Sequence, residues 1–311
     1  MKFNIIILNR GGIFLINEDK ARVIEVVPYD ENWEKEFIKE SRKIKDIMND
    51  EIIKIHHIGS TSIKGIYAKP VIDILIEVKD IKNIDNYNEA MMKLGYIKKG
   101  EFGIKERRFF IKGLYNRTHH IHIFQTGNKE IKRHLNFRDY MNSNKDEAKK
   151  YENLKIDLAK KFKYDIDGYC NGKNDFIKNI DKKADRWSKE SIVKKYFNSW
   201  IVNDNSVLEE TFSKNVSYIE SWGPAYSGLE EIKKWFDDWH KNSEVLNWDI
   251  KDIIILDKTF ICQWYFKHKH NEDINDFNGV SWIKFNDDNK IIELKEFMSV
   301  LPLRYPYKSI K

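Results

Sequence analysis

A chain of 311 residues that is 41% hydrophobic and 33% charged is too long for one ordinary core and too apolar for general disorder, so two globular domains are expected. Nine Trp, fifteen Tyr and eighteen Phe beside fourteen Gly and five Pro exclude a collagenous or linker-dominated chain, and two distant cysteines, Cys170 and Cys262, encode neither a disulfide framework nor a structural zinc site and suit a reducing cytoplasm. The net charge of +6 is uneven, with 39 Lys and Arg against 29 Asp and Glu in residues 1–189 and 16 against 20 in residues 190–311; the basic part suits a phosphate-bearing partner, although 45 Lys to 10 Arg is also what an AT-rich coding sequence gives.

Residues 1–22 read as a strand pair around Gly11 and Gly12 or as an extension, and the apolar run Ile5 to Leu8 is too short for a membrane span. After Pro28-Tyr29-Asp30, the spacing of Trp33, Phe37, Ile44, Ile47 and Met48 predicts an amphipathic helix. Ile52 to Ile58 is β-rich and runs into Gly59-Ser60-Thr61-Ser62, whose hydroxyls suit the cap of a short helix. Residues 70–78 are nearly continuously apolar, as in a strand buried on both faces, yet hold Asp73. A helix around Asn86 to Leu94, strands at Arg107 to Lys112 and His119 to Phe124, and helices over 129–163 and 167–189 complete a mixed α/β domain. Near Ser188 the charge balance changes sign and a fresh amphipathic pattern begins, which places the boundary there: an extension over 1–22 and domains over 23–188 and 189–311. Helices to about Glu210 follow, then a strand at Asn215 to Ser221, a helix from Gly228 to about Lys241, and strands at 248–256, 259–270, 277–285 and 291–300.

The first domain carries the denser chemistry. Gly59 lets a polyphosphate approach the backbone, while Ser60, Thr61 and Ser62 offer donors to anionic oxygens. Asp73 on its apolar strand would hold a divalent cation bridging those phosphates, Mg²⁺ or Mn²⁺ ahead of Zn²⁺, since an uncompensated buried carboxylate is costly. On the later strand, period-two geometry puts His120 and His122 on one face, where they would meet Asp73 as metal ligands or as a general base; the bland alternative is that they satisfy core or edge hydrogen bonds. Arg107 and Arg108 fall on opposite faces, one able to reach phosphate and the other solvated or paired. Lys64 and Lys69 flank the Gly-Ser loop, either as phosphate neutralisers or as surface lysines.

His57-Ile58-Gly59-Ser60-Thr61-Ser62, Ala68-Lys69-Pro70-Val71-Ile72-Asp73-Ile74, Gly103-Ile104 with Arg107-Arg108, His120-Ile121-His122 and Phe137-Arg138-Asp139-Tyr140 resemble the successive motifs of the GrpB family over about residues 24–187. The resemblance implies the fold of polymerase β-like nucleotidyltransferases, a Gly-Ser turn followed by two or three metal-binding carboxylates. This chain departs from that pattern: Leu75 stands where a second carboxylate belongs, and Glu77 lies about 6 to 7 Å further along the strand.

Residues 190–302 resemble the SnoaL-like branch of the nuclear transport factor 2-like superfamily through Trp200, Tyr218-Ile219-Glu220-Ser221-Trp222-Gly223, the Gly228 helix start, Trp264 and Gly279-Val280-Ser281-Trp282. That resemblance implies a cone-shaped α+β barrel with a small-ligand mouth, for which Glu220, Trp222, Trp235, Trp248, Gln263 and Trp282 are the pocket candidates, with Trp239, Trp264, His240 and Glu296 beside them. It also implies frequent homodimers. His268-Lys269-His270 reads as a solvated hairpin near a strand end.

The fold class expected is therefore α+β in two domains. The leading function is a cytoplasmic, metal-dependent nucleotide-binding or nucleotidyltransferase-type enzyme in which Asp73, His120 and His122 are catalytic or metal-ligating, and Gly59, Ser60, Thr61, Ser62, Lys69, Arg107 and Arg108 bind nucleotide or another phosphorylated small molecule. The alternatives are a non-catalytic sensor of nucleotide with a small apolar ligand in the cone, and isomerase or hydrolase chemistry in the cone. Nucleic acid ranks below these, because the basic residues are dispersed and lack an aromatic-basic stacking segment.

Overall fold

The computed structural model describes residues 23–114, 116–256 and 259–301, with the backbone of two further strands, β1 (Asn4–Asn9) and β2 (Gly12–Asn17). These pair antiparallel with Asn9 opposite Gly12; Gly11 and the remainder of the 1–22 extension lie outside the described residues. The chain forms two compact units, Met1–Asp185 and Arg186–Lys311.

After β2 comes α1 (Asn32–Met48), preceded by Asp30, whose carboxylate accepts the Asn32 amide at 2.9 Å. Trp33, Ile44 and Met48 fall on one stripe and bury it. Then come β3 (Ile52–Ile58), a 3-10 turn at Ser60–Ser62, β4 (Ile72–Val78), α2 (Asn88–Lys93), β5 (Tyr96–Gly100), β6 (Arg108–Lys112) and β7 (His119–Gln125). Part of the helix expected from Asn86 is a 3-10 stretch, Ile81–Tyr87, started by the Asp80 carboxylate. The five strands order β3-β4-β7-β6-β5, with β4 and β7 parallel and every other pair antiparallel. One sheet face packs Ile72, Ile74, Ile76, Ile121 and Ile123 with Ile44 and Met48 of α1. On the other, Ile58, Leu75 and Phe124 meet Ile131 of α3 (Lys129–Ser143). Both faces of β4 are therefore covered, which explains its continuous apolar run. The helical tract after 129 is divided at Asn144, whose non-helical backbone separates α3 from α4 (Lys145–Lys161); α5 (Ile166–Asn171) follows.

The boundary expected near Ser188 falls inside a single 29-residue helix, α6 (Asn174–Val202), which carries the chain from one unit into the next. The second unit continues with α7 (Val207–Thr211), β8 (Phe212–Ile219), β9 (Ala225–Ser227), α8 (Leu229–Trp239), β10 (Ser243–Leu256), β11 (Thr259–His270), β12 (Asp273–Phe285) and β13 (Ile291–Val300). Its six strands order β10-β11-β12-β13-β8-β9, antiparallel except for β13 on β8. Val193, Tyr196, Phe197 and Trp200 of α6 and Ile232 and Phe236 of α8 pack against the inward side chains Trp248, Cys262, Trp264, Ile283 and Leu294 of the sheet. Gly279 allows this packing: a Cβ there would lie 2.1 Å from the Trp264 ring, which crosses β12 at that point. Both units are α+β with mixed sheets. Among the described residues no helix is long and apolar enough to cross a membrane.

Candidate functional site

In the first unit the parallel register of β4 and β7 sets Asp73 beside His120 and Leu75 beside His122. Strand alternation sends Asp73, His120 and His122 to the α3 side of the sheet, and they converge: His120 Nδ1 lies 3.0 Å from Asp73 Oδ1, and His122 Nε2 lies 3.7 Å from the same oxygen. Gly59 makes room for that carboxylate. Its φ of 72° is left-handed, and a Cβ there would sit 2.3 Å from Asp73 Oδ2. Burial pushes the Asp73 carboxyl up, but the two imidazoles outweigh it and hold Asp73 well below the ordinary carboxylate range. Burial lowers the proton affinity of His120 against the pull of Asp73. An ionised Asp73 therefore faces a neutral His120, whose Nδ1–H donates to it. The opposite nitrogen, His120 Nε2, is buried and has no hydrogen-bond partner among the described residues.

The second imidazole is fixed from behind. Arg107, buried, gives its guanidinium to the Glu101 and Phe102 carbonyls and, at 3.3 Å, to His122 Nδ1. His122 Nδ1 accepts there, so its proton sits on Nε2, facing Asp73. His134, on the face of α3 that also carries Ile131 and Leu135, brings a third ring to 5.6 Å from His122. Burial and Arg133 keep His134 far below its ordinary pKa. Helical spacing from Ile131 was the sequence signal that could have found it.

The Gly-Ser turn spends its hydroxyls internally. Ser62 donates to the Gly59 carbonyl at 2.7 Å, Thr61 meets His57 Nε2 at 2.9 Å, and Ser60 reaches the Tyr151 hydroxyl at 3.5 Å. His57 stacks on Phe37 on the α1 side, and burial lowers its pKa to about 4. Arg138 donates to the His57 carbonyl, so the Phe137-Arg138-Asp139-Tyr140 motif braces the turn. Arg108 points to the other face and forms a two-pronged ion pair with Asp85, away from the cluster. Lys69 and Arg117 line a cavity of about 230 Å³ with Pro70, Val71 and Asn116, where β4 begins and the chain enters β7; the Arg117 charge helps depress His120. Lys64 gives its amide to Asn142 in α3.

A divalent cation at Asp73, His120 and His122 does not fit this arrangement. To ligate through Nε2, His122 would have to carry its proton on Nδ1, which here faces the Arg107 guanidinium that can only donate, and the Asp73 oxygen is already engaged by His120. Leu75, fully buried, supplies no second carboxylate, and Glu77 turns instead to His56 at 2.7 Å. Among the described residues no group of three or more His, Cys, Asp and Glu side chains is set to hold a metal ion.

In the second unit, Glu220, Trp222, Trp235 and Trp248 line a pocket with Trp200, Trp239, Trp264 and Glu296. Gln263 and Trp282 do not. They stand on the outer sheet face, because the inward set on β11 and β12 is Cys262, Trp264, Ser281 and Ile283. His240 lies outside the lining, its ring nitrogens at 2.9 and 3.0 Å from the Phe236 and Trp200 carbonyls. His268 is on the lining rather than in a solvated hairpin; even alternation along β11 from Trp264 and Phe266 would have placed it inward. Burial pushes Glu220 up to about 7, against a 2.5 Å hydrogen bond from Tyr226, and Glu296 up to about 8, against a 2.7 Å bond from Tyr218.

Two family models match the chain: GrpB protein over residues 23–183 and SnoaL-like domain over residues 193–294. The UPF0157 protein YqkA of Bacillus subtilis is 45% identical over 168 residues, 54% of this chain and 49% of that protein, so the chain spans about half the length of this relative. The glutamate-rich protein GrpB of Alkalihalophilus pseudofirmus is 36% identical over 53% of this chain and 98% of its own. A crystal structure of the conserved protein GrpB from Enterococcus faecalis is 41% identical, covers 51% of this chain and 96% of that one, and superposes with a TM-score of 0.50.

Proposed function

Because this chain belongs to the GrpB family, we propose that its GrpB domain binds a nucleotide or another phosphorylated small molecule and uses the Asp73–His120 pair as a general base. The observation that carries the reading is the orphaned His120 Nε2. A buried ring nitrogen without a partner costs about 1 to 3 kcal/mol, and a ligand hydroxyl would satisfy it. Asp73 holds the tautomer that leaves Nε2 free, as the carboxylate does in catalytic triads. The chemistry this supports is nucleotidyl transfer: an acceptor oxygen bonds to phosphorus, its proton passes to Nε2, and pyrophosphate departs. Lys69 and Arg117, set against the single carboxylate of Glu25 among the described lining residues, supply a net positive charge at the neighbouring cavity.

A second reading, binding without turnover, is favoured by one observation: Leu75 fills the place of the second carboxylate and is wholly buried. Calorimetric titration with nucleoside triphosphates, in Mg²⁺, Mn²⁺ or EDTA, followed by pyrophosphate detection, separates the two. Transfer predicts pyrophosphate release that His120→Gln abolishes while binding survives. Binding that Asp73→Asn weakens, without release, favours the sensor, and equal binding by wild type and Asp73→Asn with no release in any condition defeats both.

A further inference from the structure

The pocket of the second unit has an electrostatic character that a neutral apolar ligand does not use. Six of its lining residues are tryptophans, and they meet at steep angles: Trp200 crosses Trp235 at 55° and Trp239 at 76°, with centroids 4.6 and 5.4 Å apart. Rings at such angles make walls of a box rather than a stack. Indole faces carry negative quadrupole charge. Two carboxyl groups, Glu220 and Glu296, enter the same box, and no lysine or arginine is among the described residues that line it. The cavity is small, about 40 Å³, room for a head group of a few heavy atoms.

We propose that this pocket binds an organic ammonium ion, a small methylated or alkylated amine whose charge is shared between the indole walls and the Glu220 and Glu296 carboxylates. Faces of tryptophan attract cations whose charge is spread over methyl groups, and paired carboxylates supply the counter-charge that a desolvated cation needs. The site is independent of the GrpB-domain reading and can stand or fall without it.

The groups around the two acids set the pH dependence. Tyr218, from β8, donates to Glu296 and itself contacts Tyr196 of α6 at 3.1 Å; Tyr226, from β9, donates to Glu220. Both tyrosines on the acids have raised pKa values and stay protonated through the working range. Among the described residues His268 on β11 is the one lining imidazole, and burial lowers its pKa, so it does not compete as a cation in neutral solution. The charge of Glu220 helps hold Glu296 in its protonated form. A bound cation favours both ionised forms, so binding releases protons below about pH 8, and affinity rises with pH across the two raised pKa values.

The test uses the full-length chain, with choline and its uncharged carbon isostere 3,3-dimethylbutan-1-ol as probes, followed by calorimetry and tryptophan fluorescence. The expected result is that choline binds at least about tenfold more tightly than the isostere at about pH 9, a difference of about 1.4 kcal/mol, and that this preference shrinks at about pH 6. Choline heats should vary with buffer ionisation enthalpy near pH 7, as proton release requires. Glu220→Gln and Glu296→Gln should each erase most of the preference; these near-isosteric changes keep the Tyr226 and Tyr218 contacts possible. Should either variant fail to fold, the pH dependence of the wild type still decides. At about pH 9, equal affinity for the two probes, tighter binding of the isostere, or absence of choline binding overturns the proposal, as does a preference that is undiminished at about pH 6.

Discussion

A methyl group added at Gly59 would meet Asp73 Oδ2 at 2.3 Å and would force an L side chain to hold a φ of 72°. Gly59→Ala is therefore expected to cost about 2 kcal/mol or more of stability, measured by urea unfolding of the full chain, and to break the Asp73–His120 contact. An unchanged midpoint would mean that the carboxylate does not sit against this turn. His120→Gln, by contrast, removes the free Nε2 acceptor while an amide can still donate to Asp73, so unfolding should shift by less than about 1 kcal/mol while any turnover disappears. Asp73, His120 and His122 were legible as a converging group because each is a polar side chain at period-two spacing in an apolar strand. The role of Arg107 was not, since only the fold of the 101–107 loop turns its guanidinium onto His122.

At the scale of elements, α1 is anchored to β5 and β6 by a buried polar knot. Glu40, 3% exposed, accepts from Lys112 at 2.5 Å, Lys43 at 2.9 Å and the Tyr96 hydroxyl at 3.0 Å. Burial pushes its carboxyl up, but these donors prevail and hold its pKa at about 2. Glu40→Ala strands Lys112 and should cost about 3 kcal/mol, whereas pairing it with Lys112→Met should recover a large part of that loss. The double-mutant cycle by chemical denaturation checks both, and additive costs would show that the knot is not coupled. Helix α1 itself was readable from its stripe of Trp33, Phe37, Ile44 and Met48. The glutamate inside that stripe was not, because two of its three partners come from strands 56 and 72 residues away.

At the scale of the whole molecule, the two units should respond to pH in opposite senses. In the first, His57 takes up protons less readily folded than unfolded, its pKa lowered by burial from 6.5 to about 4. The unfolded chain binds more protons in that window, so this unit loses stability as pH falls from about 6.5 towards 4, and the Glu40 contribution follows as pH falls from 4.5 towards 2. In the second, Glu220 and Glu296 hold protons that the unfolded chain has lost. Their contribution is complete below about pH 4.5 and is lost as pH rises through 7 and 8. Hydrogen exchange read by mass spectrometry resolves peptides of each unit, and parallel trends in both would refute the assignment. By itself the sequence determined the two α+β units, the apolar strand that carries Asp73, and which side chains along each strand share a face, because alternation is a local property of an extended backbone. Tertiary structure alone decided that β4 runs parallel to β7 with Asp73 beside His120, that Gln263 and Trp282 face outward, and that Glu220 and Glu296 share one aromatic box. Those outcomes depend on pairing between segments distant in the chain, where the choice of register and of the buried face is set by packing rather than by any local pattern.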